Sequence, residues 1–185
     1  MNAAEGGIVQ VAFIVRDLDA TVADFARDLD VGPWTIVRNL KPVSARLYHR
    51  PATPELSVGL AYSGSMMIEL IEEHGEVGLP PVGARSDADC RFHHMARTST
   101  DFATDRERLL RQGRTAVFEA SLPAELGGGR FAYFDNPKPL PGYLELVELA
   151  PDLTALFANL RSAAEQWDRH AAVIDADALL GAGTV

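Results

Sequence analysis

The sequence predicts an α+β fold built as two tandem halves that repeat one another, followed by a C-terminal helix. Three observations carry this. The segment Arg91 to Phe102 lies over the one that begins at Gln10. His94 falls on Gln10, Ala96 on Ala12, Asp101 on Asp17 and Phe102 on Leu18, at an offset of 84 residues. A second pair, Met67 to Glu72 and Tyr143 to Glu148, sets Glu69 on Glu145 at an offset of 76. Two segments recurring in the same order with a small indel between them mark an internal duplication. Third, each half reads as a strand, one amphipathic helix and a series of further strands.

The elements follow in order. Ile8 to Val15 is an apolar run rich in β-branched residues, a buried strand. Asp17 stands at a helix N-cap, where its carboxylate accepts from free N–H groups of the first turn. Leu18, Val22, Phe25 and Leu29 then form one stripe of a helix, ended by Gly32-Pro33. Trp34 to Leu40 and Val43 to His49 read as strands broken at Lys41-Pro42, with a loop at Pro51 to Pro54. Leu56 to Tyr62 and Met66 to Glu72 are strands joined by the tight turn Ser63-Gly64-Ser65. The stretch 73–90 has glycines and prolines but no apolar periodicity, and it reads as a linker.

The second half repeats the plan. Arg91 to Thr100 is a strand, Asp101 caps a helix to about Arg111, and Gly113 stops it. Thr115 to Ala120, Gly129 to Phe134 and Gly142 to Leu149 complete the strands. The units are therefore 8–72, the linker 73–90, 91–149, and a helix and tail over 150–185. Leu153, Leu156, Phe157, Leu160, Ala164 and Trp167 give that last helix an apolar face with no counterpart in the first half. It is expected on the outside of the sheet or across a dimer contact. The tail 171–185, rich in Ala and Gly, is left unassigned.

Bulk properties exclude several classes. A formal net charge of −9 with no basic cluster argues against a nucleic-acid partner. Cys90 is the only cysteine, so no internal disulfide forms, which fits a reducing cytoplasm. The N-terminus has neither the basic end nor the apolar core of a signal peptide, and no apolar run is long enough for a membrane span.

The repeat also places the chemistry. Gln10 and His94 open the two halves, and Glu69 and Glu145 close them, each Glu between apolar neighbours. Alternate strand residues share a face, so a Glu there points inward, where a carboxylate is costly unless paired or bound to a cation. A lone strand Glu usually faces solvent and a lone His is usually structural. It is the symmetric recurrence that favours a joint metal site of Gln10, Glu69, His94 and Glu145. One amide oxygen, one imidazole and two carboxylates suit a hard or borderline divalent ion: Zn, Ni, Co, Mn, Mg or Fe(II). Strand alternation turns His93 away from His94; it is the stand-in if the register is off by one. Glu72 and Glu148 also repeat, on the other face, where they are expected to be solvated.

At these residues the chain resembles the vicinal oxygen chelate superfamily, the glyoxalase, bleomycin-resistance and methylmalonyl-CoA epimerase group. The resemblance covers about 8–149. It rests on the opening Gln10 to Asp19, the block His93-His94-Met95-Ala96, Phe131 to Asp135 and the two Glu-Leu strand ends. It implies two tandem βαβββ modules forming a curled mixed sheet around a metal-binding cleft. It also implies a homodimer, and Gln10, Glu69, His94 and Glu145 as the ligands. The sequence departs from the epimerases in lacking a Glu between Val43 and Arg50, the nearest being Glu55. The oxygenase branch needs a His where Glu69 stands. No basic cluster marks a glutathione site, Arg38, Arg46 and Arg50 being the available anchors.

The expected function is that of a cytoplasmic, metal-dependent lyase or isomerase. It would act on a small enolisable carbonyl substrate through an enolate or enediolate, with Glu145 or Glu69 as the base. The alternatives are a non-catalytic small-molecule binding or resistance protein on the same scaffold and, behind it, a dioxygenase. Trp34, Phe13, Tyr48, Phe131 and Tyr133 are candidate cleft aromatics.

Overall fold

The computed structural model describes residues 7–82 and 89–175. The readings for the first six residues, for 83–88 within the linker and for the tail from 176 onward lie outside the described residues. Strand β1 (Ile8–Val15) leads to helix α1 (Leu18–Leu29) and then to β2 (Trp34–Leu40). A short pair, β3 (Val43–Leu47) and β4 (Arg50–Pro51), precedes β5 (Glu55–Ser63) and β6 (Met66–His74). The second half runs β7 (Cys90–Ser99), α2 (Phe102–Arg111), β8 (Ala116–Ser121), β9 (Arg130–Asp135) and β10 (Tyr143–Glu148). Helix α3 (Pro151–Glu165) and a two-residue strand β11 (Val173–Ile174) follow.

Both early helices begin where the sequence places a capping carboxylate. Asp17 accepts from the Ala20 amide at 2.9 Å and Asp101 from the Thr104 amide at 3.1 Å. The strands form one sheet in the order β11-β2-β5-β6-β1-β7-β10-β9-β8-β3-β4. Its middle is the antiparallel pair β1/β7, flanked by β6 and β10, each parallel to its neighbour. Helices α1 and α2 cover the convex face. Leu18 and Val22 pack on Val15, Trp34 and Leu70, while Phe102 and Leu109 pack on Phe134, Leu144 and Leu146.

One connection curls the sheet. β2 lies toward one edge and β3 pairs with β8 toward the other, yet only Lys41 and Pro42 separate them. Two residues span at most about 7 Å, so the two edges are drawn together around the concave face. Asn39 and Ser44, at φ 54 on either side of the link, make the bends; short polar side chains tolerate that left-handed conformation better than most.

The structure corrects two expectations. Helix α3 lies inside the curl, where Leu153, Leu156 and Leu160 join Val58, Ile71, Phe131 and Val147 in the concave core. Its apolar face is thus covered by the chain's own sheet and is free neither for the outer surface nor for a dimer contact. Helices α1 and α2 already cover the outer face, and the apolar concave face is where the stripe of α3 leaves water. Second, Glu72 and Glu148 do sit on the outer face but are engaged rather than merely solvated. Glu72 accepts from the Leu18 amide at 3.0 Å, and Glu148 takes the Arg130 guanidinium at 2.6 and 2.8 Å.

No helix among the described residues is long and apolar enough to cross a membrane. The inward placement of α3 is testable by denaturation. Leu160, only 1% exposed, should cost about 2–4 kcal/mol as Leu160→Ala. Leu29→Ala, at a site 59% exposed, should change the urea-derived stability by less than about 0.5 kcal/mol. Equal effects at the two positions would place α3 elsewhere.

Candidate metal centre

The register of four adjacent strands assembles the site. In the central pair Gln10 lies opposite Ala96 and Ala12 opposite His94. Those two pairs exchange under the sequence repeat, which makes the local axis a pseudo-twofold. On the flanks Glu69 lies beside Ala12 and Glu145 beside Ala96, again as equivalents. Ala12 and Ala96, both fully buried, are the small residues that leave space between the polar side chains.

Gln10, Glu69, His94 and Glu145 all converge here. The Gln10 amide nitrogen donates to a Glu69 carboxylate oxygen at 2.7 Å. His94 Nε2 lies 3.0 Å from a Glu145 oxygen and 3.2 Å from a Glu69 oxygen. Neither oxygen gives it a well-formed hydrogen bond, so this buried nitrogen has no hydrogen-bond partner among the described residues. Ligand atoms of Glu69, His94 and Glu145 lie within 4.8 Å of one another. A buried imidazole nitrogen within 3.2 Å of two carboxylate oxygens has the donor types that hold a shared cation. Rotation of the Gln10 amide would add an oxygen to the set. The donor set fits a divalent metal.

The other ring nitrogen of His94 explains why its orientation is fixed. Strict alternation would turn His93 to the opposite face, and that expectation fails. His93 is the extra residue of a bulge, since Ala12 pairs with His94 and Phe13 with Phe92. Both rings therefore lie on one side, each against Tyr133. His93 Nε2 is 3.1 Å from the Pro80 carbonyl, which only accepts, so that nitrogen carries the proton. His93 Nδ1, 2.9 Å from His94 Nδ1, then accepts, and His94 must donate from Nδ1. This leaves the Nε2 lone pair of neutral His94 facing the carboxylates. Burial, and then the neighbouring His94, push His93 down to about 3, so it stays neutral. Gly142, at φ 63, passes so close to the His93 carbonyl that a Cβ would collide with it.

Gln10, Glu69 and Glu145 form the floor of a cavity of about 100 Å³ with largely apolar walls, and His94 lies buried behind the two carboxylates. Of the candidate aromatics, Phe131 and Tyr133 line it, whereas Trp34 and Phe13 pack on the convex side and Tyr48 is exposed. Glu55 pairs with Lys41 at 3.2 Å and Arg38 with Asp19 at 2.6 Å, and neither lines this cavity. Sequence reasoning missed the relay through His93 and Pro80, and the contribution of α3 to the walls. An adjacent His-His pair followed by Met-Ala was the available signal for the first; the unpaired apolar stripe of α3 was the signal for the second.

The chain is similar over residues 9–134 to the family model described as Glyoxalase/Bleomycin resistance protein/Dioxygenase superfamily. Among solved structures it is similar to methylmalonyl-CoA epimerase from Mycobacterium tuberculosis. That match has 18% identity and a TM-score of 0.51, over 84% of this chain and 97% of the other. It is also similar to a hypothetical protein from Bacillus halodurans C-125, at 11% identity and a TM-score of 0.52, over 77% and 94%. At these identities the likeness is one of fold. No curated protein matches the chain.

Two tests follow. Without a metal, burial pulls His94 down, but the Glu145 and Glu69 carboxylates outweigh it and hold it up at about 9. A folded value above the ordinary 6.5 gives stability that is complete below pH 6.5 and is lost as pH rises through about 9. The metal-free protein should lose stability across that window in urea titrations, and Glu145→Gln should flatten the loss; a midpoint flat in the parent would refute the charged His94. Second, His93→Phe removes the acceptor that orients His94. It should weaken metal affinity by about 10- to 100-fold in chelator competition, and His93→Gln by less.

Proposed function

Since the chain belongs to the glyoxalase/bleomycin resistance protein/dioxygenase superfamily, we propose that it is a metal-dependent lyase or isomerase. It acts on a small enolisable carbonyl compound through an enolate or enediolate. The carrying observation is the meeting of Gln10, Glu69, His94 and Glu145, with the buried His94 Nε2 unsatisfied, where Gln10 and the two carboxylates floor a largely apolar cavity. Those four residues would hold one divalent ion. When bound, the ion supplies Lewis-acid stabilisation to charge developing on substrate oxygen.

The chain's own residues do the rest. Glu145 is the preferred base: burial raises its carboxyl against the opposing pull of His94, which moves it toward the range where a carboxylate takes up a carbon-bound proton. Glu69, on the strand flanking the opposite side of the central pair, is the second candidate base. His94, held through His93 and Pro80, keeps its lone pair aimed at the centre. The apolar walls exclude water, which strengthens each electrostatic contact inside. A non-enzymatic binder of the same superfamily would not need two carboxylates at this depth. The halves 8–72 and 91–149 are proposed as the repeated units, and a cytoplasmic homodimer as the working form. Its interface then uses a surface other than the apolar stripe of α3.

The test is metal content and turnover in parent and Glu145→Ala, purified without a metal-binding tag. The parent should hold one divalent ion per chain, and Glu145→Ala should lose it with its circular dichroism unchanged. Substrate trials then run over 2-oxoaldehyde adducts, 2-methyl acyl-CoA thioesters and other enolisable carbonyls. A parent that takes up none of Co, Ni, Zn, Mn or Fe(II) would make the chain a small-molecule binding protein instead.

A further inference from the structure

We infer that α3 limits the substrate to a compact molecule whose part beyond two neighbouring oxygens is small and aliphatic. This rests on the metal-centre reading above and narrows it to a substrate class. Leu153, Leu156 and Phe157 of α3 form the wall facing the Gln10, Glu69 and Glu145 floor. They are held there firmly, since Leu153 and Leu156 belong to the concave core and Leu160, one turn on, is nearly inaccessible. The space left is about 100 Å³. A dry cavity of about 150 Å³ takes a benzene ring, so this inner space, which is open on one side, holds about four heavy atoms of a ligand.

The chemistry of the walls narrows the class further. Among the described residues, the lining apart from Gln10, Glu69, Tyr133 and Glu145 is aliphatic or phenyl and includes no cationic side chain. A second charged group on the substrate, away from the floor, would be buried without a partner, at a large desolvation cost. A larger cleft of about 580 Å³ adjoins outside, sharing Val37, Leu40 and Leu126 with the inner cavity. Those three residues are the boundary that a bulky substituent would have to displace. Size is thereby set at two places, the α3 wall and the Val37–Leu40–Leu126 boundary, and α3 acts on the part nearest the reacting carbon.

The experiment loads the protein with Co(II) and follows its visible spectrum while acetohydroxamic acid or 1-naphthohydroxamic acid is added. Both probes chelate through the same two oxygens and differ in bulk. The parent should bind the acetyl probe and bind the naphthyl probe about tenfold more weakly or worse, since overfilling a packed site is penalised. The double variant Leu156→Ala/Phe157→Ala should take up Co(II) normally and reverse that preference. Should it fail to fold, Phe157→Ala alone, at the half-buried edge of the wall, should raise naphthyl affinity in the same direction. Normal Co(II) uptake with equal affinity for both probes in the parent would overturn the role of α3 and leave the metal reading standing. Absence of Co(II) uptake in the parent would overturn both.

Discussion

The antiparallel pairing of β1 with β7, in the one register that sets Gln10 against Ala96 and Ala12 against His94, is the constraint on which the other features depend. A slip of one residue would send every side chain of a strand to the opposite face. It would carry Gln10 and His94 out of the concave cavity and push Val11 and Met95 into it. The register is held from both sides, because each face has its own apolar complement. Helices α1 and α2 claim the outward residues, and α3 with the curled sheet claims the inward ones. The polar floor is thus positioned by apolar packing and not by its own interactions, which in the absence of a cation are an uneasy balance of one imidazole and two carboxylates.

The two halves are bound to one another in more ways than their central pair. β3 and β4, which belong to the first half by sequence, complete the sheet of the second by pairing with β8. α3, which follows the second half, packs mainly against β5 of the first. Each half therefore lends an element to the other's core, and a cavity forms between them that neither would enclose alone.

Much of this was legible in the sequence because it is local or repeated. Asp17 and Asp101 announced their helices, and the duplicated Gln/His and Glu positions announced the four side chains that converge. What was hidden is what depends on tertiary context. The bulge at His93 breaks the two-residue alternation, and the adjacent His-His pair by itself does not say that both rings fall on one side. The apolar stripe of α3 specifies only that some surface must cover it; the choice between an outer face, a partner and the concave cavity is made by the free area the curled sheet leaves. Glu72 and Glu148 looked like surface residues because their partners, the Leu18 amide and Arg130, lie far away along the chain.

The bulge has a counterpart that carries a consequence. Ile8 pairs with Arg97 and Gln10 with Ala96, so Val9 is the extra residue on β1, at the position that repeats as His93 on β7. The backbone is thus symmetric where the side chains are not: one side of the axis has an aliphatic group, the other an imidazole wired to Pro80. A perfectly duplicated centre would look the same to a guest and to that guest turned through half a revolution. Gln10 on one side and His94 on the other, the latter oriented through His93 where β1 has only Val9, remove that degeneracy. The two ends of a bound molecule become distinguishable, which is the geometric precondition for acting on a single face of a prochiral carbon.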